Sequence, residues 1–137
     1  MKRVWIAGLL LLGASALAQA PPTVKQLMLD LIHPASNDVL LSIFRGGPQN
    51  EAEWAAVRRG ALTLAETGNL LRSRGPAQPD WINDANLLAT AGTMAYQAAQ
   101  AKDAKALAAV AESLDTSCTR CHKQYRPNIF PREGGSK

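Results

Sequence analysis

The sequence is short of the residues on which most folds and many functions depend. Aromatic residues make up 5% of its 137 positions, and cysteine and histidine occur twice each. No segment alternates apolar and polar residues as a half-buried strand does, which excludes sheets, barrels and βαβ units. Two cysteines cannot build the multiply bridged framework of a small secreted scaffold. A four-ligand zinc site would have to recruit every cysteine and histidine in the chain. A large charge excess is missing as well. The formal net charge is +4, and loss of Lys2 and Arg3 with the leader described next leaves 13 basic residues against 11 acidic ones. That is no footprint for nucleic acid, and Arg58-Arg59 and Arg72 with Arg74 read as solvated helix faces or as partners of ligand carboxylates.

What is present begins with an export signal. Met1, Lys2 and Arg3 give a basic start, an apolar run follows from Val4 to Leu12, and small residues continue to Ala20. The run is too short to span a bilayer, so residues 1–18 are expected to be a signal peptide. Cleavage fits after Ala18 or after Ala20. The first is favoured, because Pro21 would lie just past the second scissile bond. No membrane span is expected in the mature chain.

Residues 19–130 read as one all-α domain and 131–137 as a flexible tail. Four helical stretches separated by short breakers account for nearly all of it. Thr23-Val24-Lys25-Gln26 is a capping box that opens the first, whose apolar residues Val24, Leu27, Met28 and Leu31 recur at helical spacing. Pro34 is expected to kink this helix before it resumes, and Arg45-Gly46-Gly47-Pro48 to stop it. Asn50 and Glu53 cap the second, with Trp54, Val57, Ala61, Leu64, Gly68 and Leu71 as its buried stripe. The third starts near Asp80 and turns Trp81, Ala85, Leu88, Gly92, Ala95 and Ala99 to one side, with Gly92 as a close-packing contact. Asp103 caps the fourth, where Leu107, Ala111, Leu114, Cys118, Cys121 and Tyr125 alternate four and three apart. Four such helices on short loops predict an antiparallel up-down-up-down bundle.

Cys118-Thr119-Arg120-Cys121-His122 is a C-x-x-C-H motif. Two thiols three residues apart on one helical turn can add to the two vinyl groups of one porphyrin edge, and the adjacent imidazole is carried to the iron. A covalently bound haem c, held by Cys118 and Cys121 with His122 as metal ligand, is therefore expected near the C-terminal end of the last helix. Rival readings are weaker. A thioredoxin-like pair wants a strand-to-helix context, and a disulfide within one turn would constrain almost no unfolded-state entropy. With an export signal beside the motif, the protein is expected in the periplasm.

In the predicted bundle, Met28 on the first helix lies level with His122 and is the best candidate for a second metal ligand. His33 beside the proline and an open sixth position remain the alternatives. Trp81 and Leu70 or Leu71 are placed to wall the porphyrin, and Arg126 to meet a propionate; Arg58-Arg59 and Arg72 with Arg74, where not solvated, are further candidates for partners of haem propionates. A filled sixth position suits one-electron transfer with redox partner proteins, and an open one suits binding of small gases such as NO. Neither role is that of an enzyme.

The segment from Cys118 to Arg126, with Lys25-Gln26-Leu27-Met28 and Pro34-Ala35 near the start, resembles the class II c-type cytochromes. These comprise the cytochrome c prime group and its six-coordinate relatives. The resemblance spans the whole mature chain and implies a four-helix haem bundle with Tyr125 and Arg126 lining the pocket. It also raises pairing of two copies through the first two helices. His33 departs from the pattern.

Overall fold

The computed structural model describes residues 20–128, all of whose regular structure is helical. The expected signal peptide and tail lie outside the described residues. The elements are α1 (Val24–Phe44), α2 (Glu51–Arg74), α3 (Pro79–Ala101), α4 (Ala104–Ala109) and α5 (Ala111–Tyr125). Together α4 and α5 form the fourth rod of a four-helix assembly. α1 packs on α2, α2 on α3, and α3 on α5.

Local chemistry sets the boundaries. Thr23 caps α1 in a full capping box: its Oγ1 accepts from the Gln26 amide at 3.3 Å, and Gln26 Oε1 accepts from the Thr23 amide at 2.8 Å. Asn50 accepts from the Glu53 amide at the start of α2, and Asp103 from the Ala106 amide at the start of α4. α1 ends in a Schellman motif: the Gly46 amide donates to Ile43 and the Gly47 amide to Ser42, which requires a positive φ at Gly46, found there at +95°.

α1 is one uninterrupted helix, where Pro34 predicts a kink. Its turn over Leu27–Ile32 is π-helical, with the His33 amide donating to the Met28 carbonyl five residues back. In α-helical winding the proline ring presses on the carbonyl four residues back, that of Asp30. A wider turn relieves this contact and lets the helix continue. The register changes as a result: Leu27 and Ile32, five apart, are buried, while Leu31, expected on the buried stripe, is 40% exposed. By length and composition α1 also qualifies to cross a membrane, at a mean hydropathy of 1.2. Its buried side lies against α2.

The stripes of α2 and α3 are buried as expected, residue for residue. The fourth rod differs. It breaks at Val110, whose amide turns back to Leu107 in a tighter, three-residue bond. Across that break the buried face runs through Leu107, Val110, Leu114 and Ser117, so Val110 takes the place expected of Ala111.

Glycines bring α2 and α3 together. A Cβ on Gly68 would lie 2.6 Å from the amide nitrogen of Ala89, and one on Gly92 would collide with the Ala65 amide nitrogen and lie 2.9 Å from the Leu64 carbonyl carbon. As residue numbers rise along α2, the facing numbers on α3 fall. Because the obstacles are backbone atoms, Gly92→Ala must push the helices apart. Overpacking of about 1–3 kcal/mol outweighs the helical gain of about 1 kcal/mol from replacing glycine. A net loss of up to about 2 kcal/mol is expected, read as a lowered midpoint in thermal or urea unfolding.

Candidate haem-binding cleft

Four helices contribute to one open cleft enclosing ≈ 390 Å³, part of it continuous with solvent. α1 supplies Met28 and Ile32, α2 Leu71, α3 Trp81, Asp84, Ala85 and Leu88, and α5 Ser117, Cys118, Cys121 and His122. The cleft opens where α1 and α5 come to the same space without packing closely on each other. Its lining is largely apolar, with a few convergent polar groups, as small-molecule and cofactor sites are.

The two cysteines are half-buried and form no disulfide. Both thiols are pushed up from their ordinary value. Burial is the main cause for Cys118, with Asp115 adding to it and a contact from Ser117 opposing it. Cys121 is pushed up to about 11, by burial first, then by Asp84 and Cys118. Reactive cysteines of redox pairs have their thiols shifted the other way, so these are unactivated thiols held protonated at neutral pH. His122 is lowered, by burial first and then by the Arg126 guanidinium, which keeps its imidazole in the neutral form that a metal requires.

Trp81 is the best-fixed wall. Its indole Nε1 donates to the Leu71 carbonyl at 2.7 Å, and Tyr125 meets its ring edge-on at 4.9 Å between centroids. The ring lies so close over Gly75 that any Cβ there would overlap it. The last turn of α2 thus orients the first turn of α3.

Of the residues singled out from sequence, Met28, Trp81, Cys118, Cys121 and His122 are brought together on the cleft, joined by Leu71. Leu70 points outward. Tyr125 stands behind Trp81 rather than on the lining. Arg126 is exposed and does not line the cleft, because α5 ends there: its amide caps the His122 carbonyl at 2.8 Å. His33 is exposed, off the cleft.

Sequence reasoning missed Asp84. Its side chain is fully buried on the cleft wall, and neither carboxylate oxygen has a hydrogen-bond partner. Arg120, the second variable residue of the C-x-x-C-H motif, brings its Nε to 2.9 Å from Oδ1 while remaining half-exposed. Burial, the largest influence, raises the Asp84 carboxyl above the usual carboxylate range. Arg120 opposes that, and Asp80 adds to it. The signal was legible: Trp81, Asp84, Ala85 and Leu88 follow the i, i+3, i+4, i+7 pattern of one helix face, with an acid in the second place.

Among the described residues, no three His, Cys, Asp or Glu side chains converge to hold a metal ion by themselves. A haem does not need them, since its protein ligands are one or two axial side chains. The donor set therefore fits an iron porphyrin better than a bare ion. Set against family models, curated proteins and solved structures, the chain matches none.

Proposed function

We propose that the chain is a small exported monohaem c-type cytochrome that carries single electrons between redox proteins in the periplasm. In this reading it is related to the class II cytochromes, an antiparallel up-down-up-down bundle with its haem toward the C-terminal end of the last rod. The observation that carries the proposal is the meeting of Cys118, Cys121 and His122 with Met28 and Trp81 on a single cleft.

Each residue has a defined part. The Cys118 and Cys121 thiols would hold the porphyrin covalently, and the neutral His122 imidazole and the Met28 thioether would be the side chains that bind its iron. Trp81, with Leu71, Ala85 and Leu88, excludes water from the buried face. A haem bound there supplies one-electron redox chemistry, and a His/Met ligand pair raises its reduction potential. In this reading the chain is a carrier rather than an enzyme.

The test is the reduced visible spectrum of the mature protein, with and without CO, beside its intact mass. One covalently retained haem and low-spin bands that CO leaves unchanged are expected, and Met28→Ala is expected to yield iron that binds CO readily. A high-spin spectrum transformed by CO in the unmodified protein would replace electron transfer with gas binding. A colourless chain lacking porphyrin mass would remove the proposal entirely.

A further inference from the structure

We propose that Pro34 is the positioning residue for Met28: by holding α1 in a π-helical turn, it swings the thioether from the middle of the core stripe onto the cleft wall. The inference rests on reading Met28 as an iron ligand and adds the residue that aims it.

The helix geometry decides the matter. Val39 is fully buried and marks the core direction of α1. Counting back from it at about 100° per residue, regular winding puts Ala35 about 40° to one side and Ile32 about 20° to the other. Both are buried, as that winding requires. The same count puts Met28 about 20° from the core direction and Leu27 about 120° away. The structure has the reverse: Leu27 is 1% exposed, while Met28 is only half-buried and lines the cleft.

The π-helical turn over Leu27–Ile32 supplies the missing rotation. One extra residue in the turn rotates everything N-terminal to it by about 100°, moving Leu27 to about 20° and Met28 to about 80° from the core direction. Met28 then flanks the stripe on the same side as Ile32, and both line the cleft. The cause of the wide turn lies just past it, in the Pro34 ring and its missing amide. Pro34 is itself exposed, so it acts through the backbone and not through contact with the cleft.

The experiment compares haem-loaded wild type with three variants by reduced spectrum, CO binding and thermal unfolding. Pro34→Ala restores an amide donor and removes the ring, so α1 is expected to rewind regularly and carry Met28 into the core position. Low-spin character is then lost and CO binds. Combining Pro34→Ala with deletion of Leu29, an outward residue 60% exposed, removes the surplus residue while keeping the α-helical turn. That chain returns Leu27 to the core direction and Met28 to the flank, so a low-spin, CO-insensitive spectrum is expected to return. Met28→Ala is the reference. If it leaves the spectrum of the loaded protein unchanged, Met28 is no ligand and the functional reading of that residue fails. If Met28→Ala changes the spectrum while Pro34→Ala does not, the role of Pro34 alone is overturned. A Pro34→Ala spectrum that the deletion does not restore overturns it as well. Should Pro34→Ala fail to fold, the double variant still decides, since it is low-spin only if the place of Met28 depends on one residue of rotation.

Discussion

A mature chain carrying both Cys118→Ser and Cys121→Ser is expected to release all of its colour into acidified organic solvent, whereas the wild type retains all of it. The argument runs from the state of the thiols. Both are half-buried, unbridged and pushed up, Cys121 to about 11, so they are poor nucleophiles and poor metal ligands as they stand. What they share is a place three residues apart along α5, on the wall of one open, largely apolar cleft. Addition of each thiol across a vinyl double bond would leave its sulfur on one carbon and its hydrogen on the other, with no oxidant consumed. The loaded chain should therefore weigh the sum of its two parts and show no thiol to reagent, even when unfolded in denaturant. Serine is close in size to cysteine, so the double variant should keep the bundle, and any haem it holds through His122 should be extractable. Single variants should each retain haem through the remaining thioether. Two titratable thiols in the denatured, mature wild type would defeat the assignment.

Legibility in the sequence varied with the periodicity that each segment obeys. Every residue expected on the stripes of α2 and α3 is buried, because both helices keep regular winding from cap to end, and the indole of Trp81 merely completes a pattern already visible. The same rule misplaced Leu31, since a period of 3.6 has no provision for a π-helical turn, and it misplaced Ala111, since the rod breaks at Val110. The placement of the candidate residues depended less on register: Cys118, Cys121 and His122 are neighbours on one rod whatever its winding, and Met28 lines the same cleft although regular helical counting turns it elsewhere. Asp84 was passed over for a different reason: an acid among apolar residues looks like a helix-face exception until a tertiary partner, Arg120, is seen on α5, which packs against α3.

That partner is what makes Arg120→Ala the second large effect. Asp84 is fully buried, and Arg120 is the one cation within ion-pair distance of its carboxylate among the described residues. Removing one member of a buried pair typically destabilises by 3–5 kcal/mol; half of Arg120 is in solvent, so about 2–3 kcal/mol at neutral pH is expected. The sign with pH follows from the raised carboxyl. A carboxyl whose folded value lies above its unfolded one binds more protons in the folded state, so its contribution to stability is fully present below the unfolded value and is lost as pH rises through the folded one. Arg120 restrains that rise, and its loss lifts the folded value further, which deepens the loss and extends it toward neutral pH. Thermal unfolding of Arg120→Ala between pH 4 and pH 8 should therefore fall increasingly below the wild type as pH increases. Adding Asp84→Asn should flatten the profile, because an amide in that position carries no charge to strand. A gap between Arg120→Ala and wild type that is the same at both ends of the range would mean that the pair does no electrostatic work in the fold, and that Asp84 is held by packing alone.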